Sequence, residues 1–282
     1  MKYTLIFLLI LSAISCNDTN SEPPANGIAK KTKSVTQKEK PLIAEKQNYI
    51  DTLPGVIKKE YTLEYLMGRF DPGKHPDFVS VDAKYSDGDP YMLRKETYES
   101  FKKMWQAAKD DGIDLKIISA TRNFYRQKSI WEAKWTGARK IENGANAAKK
   151  YPDPKTRALK ILEYSSMPGT SRHHWGSDID INDLDNSTFE HGKGKAVYEW
   201  LVKNAIRFGF CQPYSAKGTE RPFGYNEEKW HWSYLPIAQQ LTEMAKTNLK
   251  DEMIGGFKGA EAAVSIGVVE KYVLGINKDC LP

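Results

Sequence analysis

The amino-acid sequence predicts an α+β domain. Three observations point to it. Apolar residues recur at helical spacing in several segments, the strand-like runs between them are short and isolated, and no internal repeat is present. With 282 residues, 40% hydrophobic and 28% charged, the chain has room for one sizeable domain with appendages and the composition of an ordinary globular protein. The formal charge of +6 is mild and its lysines and arginines are scattered, which argues against a nucleic-acid partner.

In chain order, the first residues read as an address. Met1-Lys2 is a short positive start, Tyr3 to Ile14 is nearly all apolar, and Ser15-Cys16 follows. This run is too short to stay in a bilayer as a spanning helix and has the order of a secretory signal. A cysteine directly after a small residue at the cleavage point resembles the lipobox of bacterial lipoproteins, although Ala13 stands where leucine is commoner. That resemblance implies a signal peptide over residues 1–15, lipidation of Cys16, and export to a bacterial membrane with the protein facing the periplasm or cell wall. Residues 16–55, rich in Ser, Thr, Asn, Pro, Lys and Gln without apolar periodicity, read as a flexible tether. Cys211 and Cys280 either pair, pinning the C-terminal tail to the domain, or stay as two buried thiols; no C-x-x-C spacing suggests a cysteine metal site.

The main domain is expected over residues 56–236, with a helical extension, 237–282, packed on it. Tyr98, Phe101, Trp105 and Ala108 mark a helix closed at Asp110-Asp111-Gly112. Leu115 to Ser119 is β-branched and reads as a strand; Ala120 to Asn123 is a loop; a helix runs through Gln127, Ile130, Trp131 and Ala133. The polar segment 137–160 reads as surface helix and loop. Asp178 to Asn182 alternates, placing Ile179 and Ile181 on the core side and Asp178, Asp180 and Asn182 on the other. Ala196 to Phe208 is an amphipathic helix ended by Gly209, Trp230 to Tyr234 is a further strand, and two short helices come after it around Gly255-Gly256 and Gly259.

Three segments carry candidate chemistry: Ser119-Ala120-Thr121-Arg122 with Gln127, Ser171 to Asp180 with His173 and His174, and Glu228-Lys229-Trp230-His231-Trp232. A catalytic zinc ion takes three protein ligands, usually histidine with or without a carboxylate, and keeps one position open. A carboxylate that is not a ligand moves the proton, and a cation helps hold developing negative charge. One histidine and one aspartate of the second segment, with His231, Glu228 and Arg122, would supply these parts. Strand periodicity does not choose between Asp178 and Asp180, and the adjacent His173 and His174 do not both face one ion easily. Glu228 needs a bend before the strand to reach the side of His231.

The pattern S-x-H-x-x-G-x-x-x-D followed by E-x-W-H-W resembles the VanY-type D-alanyl-D-alanine carboxypeptidases, within the LAS zinc metallopeptidases. Ser119 to Arg122 with Gln127, and Phe208 to Phe210 with Gly224 to Glu228, are similar to the family's flanking segments, so the likeness covers about residues 90–236. The resemblance implies a small, mainly antiparallel sheet ringed by helices. It implies His173, Asp180 and His231 as ligands of Zn2+, Glu228 as catalytic base, Arg122 as the group that binds substrate or stabilises the transition state, and Gln127, Ser171 and Trp230 near the substrate. It implies peptidoglycan stem peptides as partners, with loss of the terminal D-alanine from D-Ala-D-Ala ends. Cleavage of cross-links or L-Ala–D-Glu bonds, and a non-catalytic zinc-binding module, are the alternatives. Arg122, Arg172 and Ser171 are candidates to read the substrate's free carboxylate. Asp178 departs from the family pattern, standing where a small residue is common.

Overall fold

Strand register decides where the polar side chains of this protein meet. In the computed structural model, which describes residues 60–282, four short strands form an antiparallel sheet in the order β3-β4-β6-β5: Ile117–Ser119, Asp178–Ile181, His231–Tyr234 and Phe210–Cys211. The signal, Cys16 and the tether up to residue 55 lie outside the described residues. A separate pair, β1 (Phe78–Ser80) and β2 (Met92–Arg94), which the sequence patterning did not reveal, is also antiparallel. At three residues each, β1 and β2 are too short for alternation to register.

The central pair β4 and β6 sets Asp180 opposite His231, Ile179 opposite Trp232 and Asp178 opposite Ser233. Directly opposed residues share a face. One face of the sheet therefore carries Asp178, Asp180, His231 and Ser233, and the other carries Ile179 and Trp232. All eight residues of these two strands are buried. The expected core face of Ile179 and Ile181 is present, but the face opposite is closed over as well. Asn182 does not continue the strand: its φ of 66° turns the chain out, and its side chain accepts from Lys116 N–H and donates to Asp114 O.

The helix Lys95–Asp110 buries Tyr98, Phe101, Trp105 and Ala108, the stripe read from the sequence, and Met104 with them. The helix Phe124–Thr136 starts at Asn123, whose side chain accepts from Arg126 N–H, and stops at Gly137 in the left-handed region. The segment 137–160 holds the short helix Ala147–Lys150 and most of Pro154–Ile161, and it is less of a surface feature than its polarity suggests: Ile141, Ala147 and Ala158 are buried. The helix Gly192–Asn204 runs into a turn, Ala205–Phe208, that Gly209 ends.

After β6 the chain enters a helix at once, Leu235–Asn248, which is longer than the spacing implied. Residues 256–259 then lie along the helix Phe124–Thr136. Lys128 Nζ donates to Gly256 O at 2.6 Å, Trp131 Nε1–H donates to Lys258 O at 2.9 Å, and a Cβ on Gly259 would fall 2.4 Å from the Trp135 ring. The final turn is tied back by a disulfide between Cys211 of β5 and Cys280, and by Asn277 N–H donating to Pro213 O. Of the two readings of these cysteines, the structure has the pair. Among the described residues, no helix is long and apolar enough to cross a membrane.

Candidate active site

Two of the candidate side chains come from the sheet and one from the turn that feeds it. Arg172–Trp175 forms a single 3-10 turn closed by Gly176 at φ 74°, where a Cβ would strike the Phe78 ring at 2.5 Å. This turn swings His173 back over β4. One ligating atom each from His173, Asp180 and His231 can be chosen so that all lie within 4.8 Å of one another. His173 Nε2 is 3.3 Å from Asp180 Oδ2, and His231 Nδ1 is 3.2 Å from Asp180 Oδ1.

The donor atoms fit a divalent metal. His173 Nε2 and Asp180 Oδ1 are buried and make no hydrogen bond. A buried polar atom without a partner is uncommon and calls for an ion or a water. Each imidazole is held by its other nitrogen: His173 Nδ1 lies 2.8 Å from Ala120 O, and His231 Nε2 lies 2.9 Å from Asp178 Oδ2. Both outer partners accept only, so the outer nitrogens carry protons, and His173 Nε2 and His231 Nδ1 face inward as the nitrogens a metal would take. Two imidazoles and one carboxylate are a donor set that zinc takes.

His174, the neighbour, is spoken for. Its Nδ1–H donates to Arg122 O at 2.6 Å and its Nε2 accepts from Gly169 N–H at 3.0 Å. Burial drives its pKa down to about 3, so it is a neutral structural residue. With Arg122 N–H donating to His173 O, it stitches the Arg122 loop to the turn that carries His173.

Glu228 precedes β6 in a tight turn, with His231 N–H donating to Glu228 O. That bend brings Glu228 Oε2 to 3.2 Å from His231 Nδ1. Burial raises the Glu228 pKa, with His231 pulling the other way. Burial disfavours the His231 cation, yet the carboxylates of Asp178, Asp180 and Glu228 around its ring hold its pKa well above the usual imidazole value. Burial, then the Arg122 charge, lowers that of His173. Arg122 is a quarter exposed; its Nη1 donates to Ser119 Oγ at 2.6 Å and stands 3.6 Å from Asp180 Oδ2.

These groups share a cavity of about 350 Å³. Arg122, Gln127, His173, Asp180, Glu228, Trp230 and His231, all singled out in the sequence, line it. Ser171 does not: it is 1% exposed and its Oγ makes no hydrogen bond. Arg172 is no reader of substrate either. Its guanidinium is wholly buried, bonded to Asp178, Ser233 and Thr242 and seated on the Trp175 ring. Sequence reasoning missed Lys134, Ser165 and the two tyrosines Tyr214 and Tyr225. Lys134 falls seven residues after Gln127, two helical turns along the same face, and that spacing could have revealed it. Its buried ammonium bonds Glu142 and Ser165 Oγ. Tyr214 packs its ring 4.7 Å from that of His231.

A buried His-Asp-His cluster beside a carboxylate and an arginine, on an α+β scaffold, defines a candidate metallohydrolase site. A family model described as VanY, D-alanyl-D-alanine carboxypeptidase, matches residues 90–237, more than half of the chain, and the protein belongs to that family. A D-alanyl-D-alanine carboxypeptidase of Enterococcus faecalis is 30% identical over 152 residues, 54% of this chain and 51% of the relative. The putative carboxypeptidase YodJ of Bacillus subtilis is 28% identical over 193 residues, 66% of this chain and 60% of the relative. Each match thus spans less than two thirds of the relative's length. A solved structure of a vancomycin-resistance D,D-pentapeptidase variant in complex with Zn(II) aligns at 27% identity with a TM-score of 0.42, covering 57% of this chain and 85% of that one.

Proposed function

We propose that this protein is a zinc-dependent peptidase that removes the C-terminal D-alanine from peptidoglycan stem peptides ending in D-Ala-D-Ala. The observation that carries the reading is the cluster of His173, Asp180 and His231, with inward-facing ring nitrogens, set beside the buried Glu228 carboxylate 3.2 Å from His231 Nδ1. Family membership supplies the substrate class.

In this reading His173 Nε2, an Asp180 carboxylate oxygen and His231 Nδ1 hold the metal. When bound, zinc supplies Lewis acidity and makes water a competent nucleophile near neutral pH. Glu228 Oε2 takes the proton of the attacking water and returns it to the departing amine of D-alanine. Its burial suits the first of these steps, because a carboxylate whose pKa is raised above its ordinary value is a stronger base toward the attacking water. The Arg122 guanidinium, beside Asp180 and open to the cavity, stabilises the negative charge that develops on the scissile carbonyl oxygen. Gln127 and Trp230 line the cavity where the stem lies. Export with a lipid anchor on Cys16 completes the proposal. The N-terminal pattern supports it, and so does the Cys211–Cys280 disulfide, since such bonds persist in oxidising compartments.

The test is mass spectrometry of a muropeptide whose stem ends in D-Ala-D-Ala, incubated with zinc-loaded protein and with a chelator-treated control. Loss of a single alanine, only with zinc, is the expected result. Cleavage at a cross-link or within the stem moves the protein to the endopeptidases. No cleavage by protein with zinc verified as bound refutes the enzymatic reading.

A further inference from the structure

We infer that Asp178 is the positioning residue for His231, fixing the tautomer and direction of its ring and thereby setting how tightly the site holds its metal. The inference rests on the zinc reading above. It starts from register: Asp178 lies opposite Ser233, two pairs along from Asp180 and His231 and so on the same face of the sheet. That offset lets one aspartate of β4 meet the inner nitrogen of His231 and the other its outer nitrogen. Asp180 Oδ1 is 3.2 Å from Nδ1, and Asp178 Oδ2 is 2.9 Å from Nε2.

The proton on Nε2 is fixed by counting donors. Asp178 is fully buried. Its Oδ1 accepts from Ser177 Oγ at 2.6 Å, and its Oδ2 accepts from Arg172 Nε at 3.1 Å and from Ser233 Oγ. Ser233 Oγ itself accepts from Arg172 Nη2 at 3.0 Å, so its own hydrogen is free for the carboxylate. An ionised carboxylate in this position only accepts, and an unprotonated Nε2 facing it would set lone pair against lone pair. His231 therefore keeps its hydrogen on Nε2, and Nδ1 is the nitrogen that would give its lone pair to a metal. Nδ1 faces two carboxylate oxygens, of Asp180 and Glu228, each 3.2 Å away, and such a pocket is satisfied by a cation, a proton or a metal. His173, by contrast, is oriented by the neutral carbonyl of Ala120. The two histidines thus differ as donors. The one backed by a carboxylate is the more basic ligand.

A simpler role competes: Asp178 could serve only to neutralise the buried Arg172, since a buried guanidinium without a partner is strongly destabilising. The two roles separate in a double variant. In the full-length protein, Asp178→Ala alone leaves Arg172 unpaired and is expected to lower the melting temperature. Arg172→Met with Asp178→Ala removes both charges and is expected to recover much of that loss. If Asp178 positions His231, zinc affinity measured by chelator competition stays weaker than the parent's by about 10–100-fold in the double variant, although the fold is restored. A double variant that binds zinc within about twofold of the parent overturns the inference. Asp178→Asn keeps the side chain's size and removes its charge, and serves if the double variant does not fold. Weakened zinc binding is again expected, and parental affinity overturns the inference. A parent protein that binds no zinc overturns this inference and the site reading together, whereas zinc bound equally by parent and variants overturns this inference alone.

Discussion

Replacing Glu228 by glutamine separates three things the site does: bind metal, move a proton and hold its own fold. The substitution preserves shape and removes charge. Glu228 is outside the His173–Asp180–His231 cluster but 3.2 Å from His231 Nδ1. As general base and acid it is worth 10²–10⁴ in turnover, or about 3–5 kcal/mol of barrier. Zinc affinity is expected to change by less than about tenfold, because a neighbour of the ligands is lost and no ligand is. Stability moves the other way. Burial raises the Glu228 pKa above that of an unfolded chain, so ionisation opposes folding. The stability of metal-free protein then falls as pH climbs from the ordinary carboxyl value through the folded one. Glutamine does not ionise. The metal-free variant is therefore at least as stable as its parent at neutral pH, with a flatter stability profile across that window. Stem-peptide cleavage, chelator competition and denaturant melts of chelator-treated protein measure the three quantities. Turnover within tenfold of the parent, with zinc bound, refutes the base assignment. A metal-free variant less stable than its parent refutes the account of what burial costs.

The same geometry sets three further expectations. Arg122→Met lowers turnover by about 10²–10³ while zinc affinity stays within a few-fold, because Arg122 offers charge to the cavity and is not a ligand; equal loss of metal and activity in chelator competition counts against this. Zinc affinity declines as pH falls from neutral, because the metal must displace the proton that Asp180 and Glu228, opposed by burial, hold on His231; a pH-independent dissociation constant contradicts it. Replacing Cys211 and Cys280 by alanine opens a loop with a sequence separation of 69 and costs about 4 kcal/mol of stability on the chain-entropy account, about 8–16 °C in melting temperature; unfolding midpoints matching the oxidised parent refute that figure.

Much of the fold is legible in sequence where local physics governs it. The apolar stripe from Tyr98 to Ala108 defines a buried helix face, Asn123 and Gly209 punctuate helices, and Ile179 and Ile181 face the core. The same holds for the chemistry of the site: which residues can ligate, accept a proton or carry positive charge is a property of side chains, and their order along the chain was enough to suggest a family. Segment 137–160 misleads because its charged residues hide Ile141, Ala147 and Ala158, which other elements cover.

What remained for the tertiary structure is pairing. Period two puts Asp178 and Asp180 on one face of β4 and says nothing about what opposes them; that is decided by β6, about 50 residues further on, whose register sets Asp180 against His231 and Asp178 against Ser233. Arg172, a candidate in sequence to read the substrate carboxylate, is sealed in the interior because Asp178, Ser233 and Thr242 converge on it from three separate elements. The Cys211–Cys280 link belongs to the same class. Sequence alone determined each residue's chemistry and local direction, whereas contacts between distant segments depend on how the packed elements align, which no local period encodes.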